Sequence, residues 1–129
     1  MTATTATEPL VVDSSGWLEY LTQDVNAEAF EPYLEGSRPI LVPAIVLYEV
    51  KKKILRIGTK TEADRFVSQA CRRQVIPIDE FLALAAAEVS IGHRLAMADA
   101  IIYATARAFE AELVTSDQAF QGLPGVTVI

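Results

Sequence analysis

The chain has 129 residues, 51% of them hydrophobic and 22% charged, and a formal net charge of −6. This length fits one domain with a sizeable core, the composition excludes an intrinsically disordered chain, and the acidity, taken as an average, argues against a nucleic-acid binder. Its one cysteine, Cys71, excludes an intramolecular disulfide framework and a multi-cysteine zinc knot, so a reducing, cytoplasmic compartment is expected.

Residues 1–8 read as a short disordered leader, lacking the basic and apolar regions of a signal peptide, and the folded domain is expected over 9–129. Residues 9–12, PLVV, read as a buried strand ending at Asp13. A helix over 14–21 follows, with Trp17, Leu18 and Leu21 on one side and Asp13 or Ser14 as its N-cap. A second helix is expected over 25–34, with Gly36 as its stop. Residues 40–42 form a second strand, and Pro43 fits the first position of a helix over 43–57 that sets Ile45, Val46, Glu49 and Lys53 along one line.

Gly58 closes that helix, and Thr59 or Thr61 opens another through Arg73. Residues 74–78, QVIPI, read as a third strand whose internal proline disturbs its ladder. Asp79 caps a helix through Ile91, and Gly92, His93 and Arg94 break it. Residues 95–106, LAMADAIIYATA, then form a helix that is apolar nearly all round and therefore buried, with Asp99 as its one acid. Residues 112–115 make a fourth strand ending at Ser116 and Asp117, and 126–129 a fifth.

Short, continuously apolar strands alternating with helices predict an α/β fold with a parallel sheet covered on both faces. Ligands bind such sheets beyond the C-terminal ends of the strands, where the strand order reverses. Asp13 ends the first strand, Asp117 follows the fourth, Glu49 sits early in the helix after the second, and Asp99 opens the central helix. All four can converge at that edge if the crossovers have the usual hand.

Each acid also has an ordinary reading. Asp13 and Asp117 suit N-caps, Asp99 suits a helix N-terminus, and Glu49 could pair with Lys52 or Lys53. Gathered together at neutral pH, however, the four would repel, and would hold protons or recruit a divalent cation. Oxygen ligands without a cysteine pair or neighbouring histidines favour Mg²⁺ or Mn²⁺ over zinc. Acidic sites of this kind serve phosphodiester cleavage, because the ion activates water and steadies charge on the leaving oxygen.

The basic residues are segregated. Residues 51–73 hold eight of the eleven Lys and Arg and only two acids, Glu62 and Asp64. A polyanion could be steered there, with Lys51, Lys52, Lys53, Arg56, Arg72 and Arg73 as candidate RNA contacts. A solvated helical face is the plain alternative.

The run V-V-D-S-S, a Glu in the helix after the second strand, A-D-A-I-I-Y-A-T-A and L-V-T-S-D-Q-A-F occur in an order that resembles the PIN domain. In particular they resemble the VapC-type ribonuclease toxins of bacterial toxin–antitoxin pairs, over residues 10–129. The resemblance implies a three-layer α/β/α sandwich around a central parallel sheet of four to five strands. It implies that Asp13, Glu49, Asp99 and Asp117 form a catalytic, metal-binding site, with Asp13 and Asp99 as principal ligands and Ser15 and Thr115 as supporting hydroxyls.

The same resemblance implies an endoribonuclease that acts on transfer or ribosomal RNA and leaves a 5′-phosphate and a 3′-hydroxyl. Its partners would be a cognate VapB-like antitoxin, whose C-terminal segment covers the site, and a second copy in a homodimer. No stretch is long and apolar enough to span a bilayer, so no membrane partner is expected. Two other readings are a PIN-like module with a vestigial site that binds RNA or a protein, and a phosphoacceptor receiver domain. The latter wants a lysine after a late strand, and no lysine follows Glu112.

Overall fold

Three consecutive strand residues, Leu10, Val11 and Val12, are all fully buried. Neighbouring strand side chains point to opposite faces, so this strand must be covered on both sides. The computed structural model describes residues 8–129, and all strand pairings within it are parallel. The expected leader lies outside the described residues except for Glu8, whose carbonyl accepts from Arg38 Nε at 2.9 Å.

The strands are β1 (Leu10–Val12), β2 (Leu41–Pro43), β3 (Gln74–Ile76), β4 (Glu112–Thr115) and β5 (Val126–Val128). β1, β4 and β5 form one hydrogen-bonded set and β2 and β3 another. A single parallel bridge between Leu10 and Ile40 joins them, giving the order 3-2-1-4-5. The order reverses at β1 and β4. The helices are α1 (Ser14–Thr22), α2 (Ala27–Leu34), α3 (Ala44–Ile57), α4 (Lys60–Ala70), α5 (Glu80–His93) and α6 (Met97–Ala108). Helices on both faces of this sheet make the α/β PIN-like sandwich expected from the sequence.

The core gathers Phe30, Phe66 and Phe120 with the apolar faces of the strands. Each such side chain contributes about 1.5–3 kcal/mol when fully withdrawn from water. Gly16 lets α1 lie close to the strand before it, since a Cβ there would stand 2.6 Å from Val12 Cγ1 and 2.7 Å from Phe30. At the end of the sheet away from the strand C-termini, Arg38 Nη1 contacts Glu112 Oε1 at 2.9 Å, and Thr127 donates to the other Glu112 oxygen.

Several boundaries depart from expectation for identifiable reasons. β3 stops at Ile76 because Pro77 has no N–H to continue the ladder. Pro43 ends β2 and flanks α3 with extended ψ of 138°, instead of opening the helix. α4 ends at Ala70, and Arg73 Nη2 then donates to Leu34 O at 3.0 Å, a tertiary contact that holds the chain out of the helix. Gly92 lies inside α5, and the break falls at Arg94, which adopts the left-handed conformation at φ 56°. α5 and α6 meet at 112°, and no single helix among the described residues is long and apolar enough to cross a membrane.

Candidate active site

The end of β1 and the end of β4 lie side by side. Val12 pairs with Val114, and Asp13 N–H donates to Val114 O at 3.2 Å, so Asp13 emerges next to Thr115. Asp13 is only 3% exposed and receives four contacts on its carboxylate. Ser15 Oγ stands 3.0 and 2.9 Å from its two oxygens, Gly16 N–H donates to Oδ1 at 2.9 Å, and Thr115 Oγ1 donates to Oδ2 at 2.7 Å. Burial raises the Asp13 carboxyl above the ordinary range, these donors oppose the rise, and the charge of Asp117 adds to it.

Thr115 serves two acids at once. Its Oγ1 also accepts from Asp117 N–H at 2.9 Å, and Asp117 Oδ1 accepts from Ala119 N–H at 2.9 Å. Asp13 and Asp117 therefore do cap their local turns, and the capping geometry is what fixes them beside each other. Glu49 reaches the same place from α3, where its Oε1 accepts from Ser14 Oγ at 2.5 Å. Asp99 lies in the first turn of α6, half-buried, and its carboxyl is pushed up to about 6 by burial and then by Asp117, Glu49 and Asp13. All three other acids thus act on Asp99 through space.

The quartet has no cation of its own. Among the described residues the side-chain ion pairs are Arg38–Glu112 and Lys60–Asp64, both outside it. No donor among the described residues reaches Asp99, Glu49 Oε2 or Asp117 Oδ2. The same residues contain no set of three Asp, Glu, His or Cys side chains already closed to metal-ligand distance. The four carboxylates therefore share a field without sharing a point. A hard divalent cation fits this donor set, because only oxygen is offered and the mutual repulsion has no other counter-charge.

Two residues escape sequence reasoning. Ser14 reads as a spare cap beside Asp13, and its bond to Glu49 depends on how α3 packs. Glu19 is linked to Ser116, 97 positions away, and also accepts from Asn26 Nδ2 at 2.8 Å, tying α1 to the turn that carries Asp117. The basic stretch divides in space. Lys51, Lys52, Lys53 and Arg56 are exposed on the helix that carries Glu49. Arg72 and Arg73 precede β3, whose first residue pairs with Leu41 at the start of β2, the end of the sheet opposite Asp13. His93 packs edge-on to Tyr103 with centroids 5.7 Å apart, and Cys71 is exposed and unbridged.

The sequence profile of the PIN domain matches residues 10–126. The chain belongs to the PIN-domain family. The receiver-domain reading falls with this match. No curated protein sequence matches the chain. Among solved structures this PIN domain is similar to a toxin–antitoxin complex from Klebsiella pneumoniae, with 23% identity, coverage of 92% of this chain and 96% of that one, and a TM-score of 0.79. It is similar to VapC20 of Mycobacterium tuberculosis, described as a sarcin-ricin loop cleaving toxin, with 21% identity, 92% and 98% coverage and a TM-score of 0.73. It is also similar to VapBC2 of Rickettsia felis bound to a promoter DNA fragment, with 15% identity, 94% and 97% coverage and a TM-score of 0.72. At such identities the likeness concerns the fold, and it extends over nearly the whole length of both chains.

Proposed function

We propose that this PIN domain is an Mg²⁺- or Mn²⁺-dependent endoribonuclease and the toxin of a VapBC-type toxin–antitoxin pair, acting in the cytoplasm on transfer or ribosomal RNA. The observation that carries the reading is the gathering of Asp13, Glu49, Asp99 and Asp117 where the strand order reverses, with no basic side chain paired to any of them. When bound, a divalent ion at such a site supplies water activation and neutralises charge on the phosphate.

The chain's own part is positioning. Asp13 is fixed by Ser15, Gly16 and Thr115, so its carboxylate cannot turn away. Glu49 is steadied by Ser14 on one oxygen and keeps the other free, and Asp117 does the same through Ala119. Asp99 is held by its place in the helix alone, which suits a ligand that takes up its final rotamer on loading. No histidine base is needed in this arrangement.

The partner reading follows the structural relatives, several of which are toxin–antitoxin complexes. A cognate VapB-like antitoxin would cover the acids and hold the enzyme silent. The homodimer has a candidate surface on α5, where Phe81, Leu84 and Ile91 stand exposed along one line. Exposed apolar side chains grouped on one helix face mark an interaction surface, here with the exposed Glu88 between Leu84 and Ile91.

The purified protein, freed of any antitoxin, is expected to cut RNA with Mg²⁺ or Mn²⁺ and to stop in chelator. Asp99→Asn is expected to abolish cutting with the fold intact. RNA cleavage by Asp99→Asn at the wild-type rate would remove the proposal. Metal-independent RNA binding without cleavage would make the site vestigial.

A further inference from the structure

One short helix, α1, reaches toward three of the four acids. At its N-terminus Ser15 and Gly16 hold Asp13, and Ser14 donates to Glu49. One turn further along, Glu19 accepts from Ser116, the residue between Thr115 and Asp117. The first two contacts serve acids directly. The third touches no acid of the quartet.

Glu19 is an anchored acceptor. It is half-buried, and both of its oxygens are taken by neutral donors from other elements: Oε2 by Ser116 Oγ, just past β4, and Oε1 by Asn26 Nδ2 at 2.8 Å, from the N-cap of α2. No basic side chain among the described residues pairs with it. With both oxygens engaged it is not a spare metal ligand, and a hydrogen bond to an ionised acceptor is roughly twice as strong as one between neutral groups. The helix beneath it is firmly seated, with Gly16 against Val12 and Phe30, and Trp17 edge-on to Phe66 with centroids 5.6 Å apart.

The bonds of Asp117 itself are local, from its N–H to Thr115 Oγ1 and to its Oδ1 from Ala119 N–H. They shape the turn on itself. The bond between Ser116 and Glu19 spans 97 positions and sets where that turn stands against α1.

We propose that Glu19 is a positioning residue for Asp117: through Ser116 it fixes the turn that presents this acid, so that α1 sets Asp13, Glu49 and Asp117 in one frame. The inference rests on the metal-dependent reading above and adds to it a residue that touches neither metal nor RNA. Groups behind metal ligands tune affinity because they orient the ligand before the ion arrives.

The test reads Mn²⁺ binding by calorimetry on the purified protein without RNA, beside the melting temperature of the metal-free form. Glu19→Ala is expected to weaken Mn²⁺ binding about tenfold, the lower end of the range for such groups, since Glu19 acts through one residue more. Glu19→Gln is expected to keep most of the affinity, because its amide can still accept from Asn26 and donate to Ser116 Oγ. Ser116→Ala removes the same bond with a smaller change and should match Glu19→Ala, and the double variant should bind no more weakly than either. Tyr20→Phe, which removes the bond from α1 to Glu35, should leave Mn²⁺ affinity unchanged.

Glu19→Ala and Ser116→Ala proteins that melt earlier but bind Mn²⁺ as the wild type does would overturn this inference alone, leaving Glu19 a packing residue. Losses that add in the double variant would also overturn it. Glu19→Gln as weak as Glu19→Ala would do the same, by making the effect one of charge. Wild-type protein that binds no Mn²⁺ would overturn the metal-dependent reading, and this inference with it.

Discussion

Thr115 donates its hydroxyl to Asp13 Oδ2 at 2.7 Å across 102 positions of sequence. The Thr115 hydroxyl oxygen itself accepts from Asp117 N–H, so one side chain sets the spacing of two acids. Thr115→Val keeps the shape and removes both bonds. Cleavage at saturating metal is expected to fall about 10- to 100-fold, as for other groups that orient metal ligands, and Thr115→Ser is expected to restore most of it. A Thr115→Val enzyme with unchanged kcat would show that the hydroxyl serves folding only.

Asp99 titrates near 6 in the folded protein against 3.8 for an unperturbed group, chiefly because it is buried and secondarily because three acids surround it. Between those values the native state binds more protons than the unfolded chain, so its contribution to stability falls as pH rises. At pH 7 the ionised group opposes folding. Asp99→Asn should therefore stabilise the metal-free protein at pH 7 by on the order of 1 kcal/mol once solvent screening is allowed for, read as a higher melting temperature. The gain should vanish below about pH 4. Mg²⁺ or Mn²⁺ should stabilise the wild type and do little for the variant. Equal melting temperatures at pH 7 would mean that neither burial nor the neighbouring acids disfavour the ionised Asp99.

The division of the basic stretch separates two groups of candidate RNA contacts. Charge reversal by Lys53→Glu with Arg56→Glu, on the helix of Glu49, should weaken RNA binding and flatten its salt dependence by about one unit of slope per lost phosphate contact. Arg72→Glu, at the far end of the sheet, should leave both unchanged. Affinities measured over a series of salt concentrations decide this, and equal effects would contradict the placement.

The exposed stripe on α5 supplies a test of assembly. Wild-type protein is expected to sediment as a dimer, and Phe81→Glu with Leu84→Glu as a folded monomer, because both side chains already face solvent in the single chain. A wild-type monomer at all concentrations would remove α5 as the dimer face.

β1 and β2 were legible as short, fully buried apolar runs, and β3 as one that Pro77 cuts short. Asp13, Glu49, Asp99 and Asp117 were legible because acids at strand ends and on an apolar helix stand out against their neighbours. What stayed hidden depends on packing. Arg73 lies beyond α4 and reaches a carbonyl of α2, so a basic run that looks uniform in sequence is divided between α3 and the turn before β3. Ser14 shows no local sign that its hydroxyl turns to Glu49 on another helix, and Glu19 meets its partner only after nearly the whole chain has folded. Of the three residues expected to break the helix, Arg94 alone takes the left-handed conformation, and Gly92 and His93 continue α5.

Between β1 and β2 the sheet is joined by one bridge, while every other neighbouring pair shares a ladder of three residues. Glu49 follows one side of this seam, and Asp13 and Asp117 follow the other. The quartet is consequently assembled only when two blocks dock across this narrow seam, with Ser14–Glu49 as a polar link at the acid end and Arg38–Glu112 as one at the other. Amide exchange in β2 and β3 would then report docking separately from exchange in β1 and β4. A protein that gripped one block and pulled it from the other would silence the site without touching a single carboxylate.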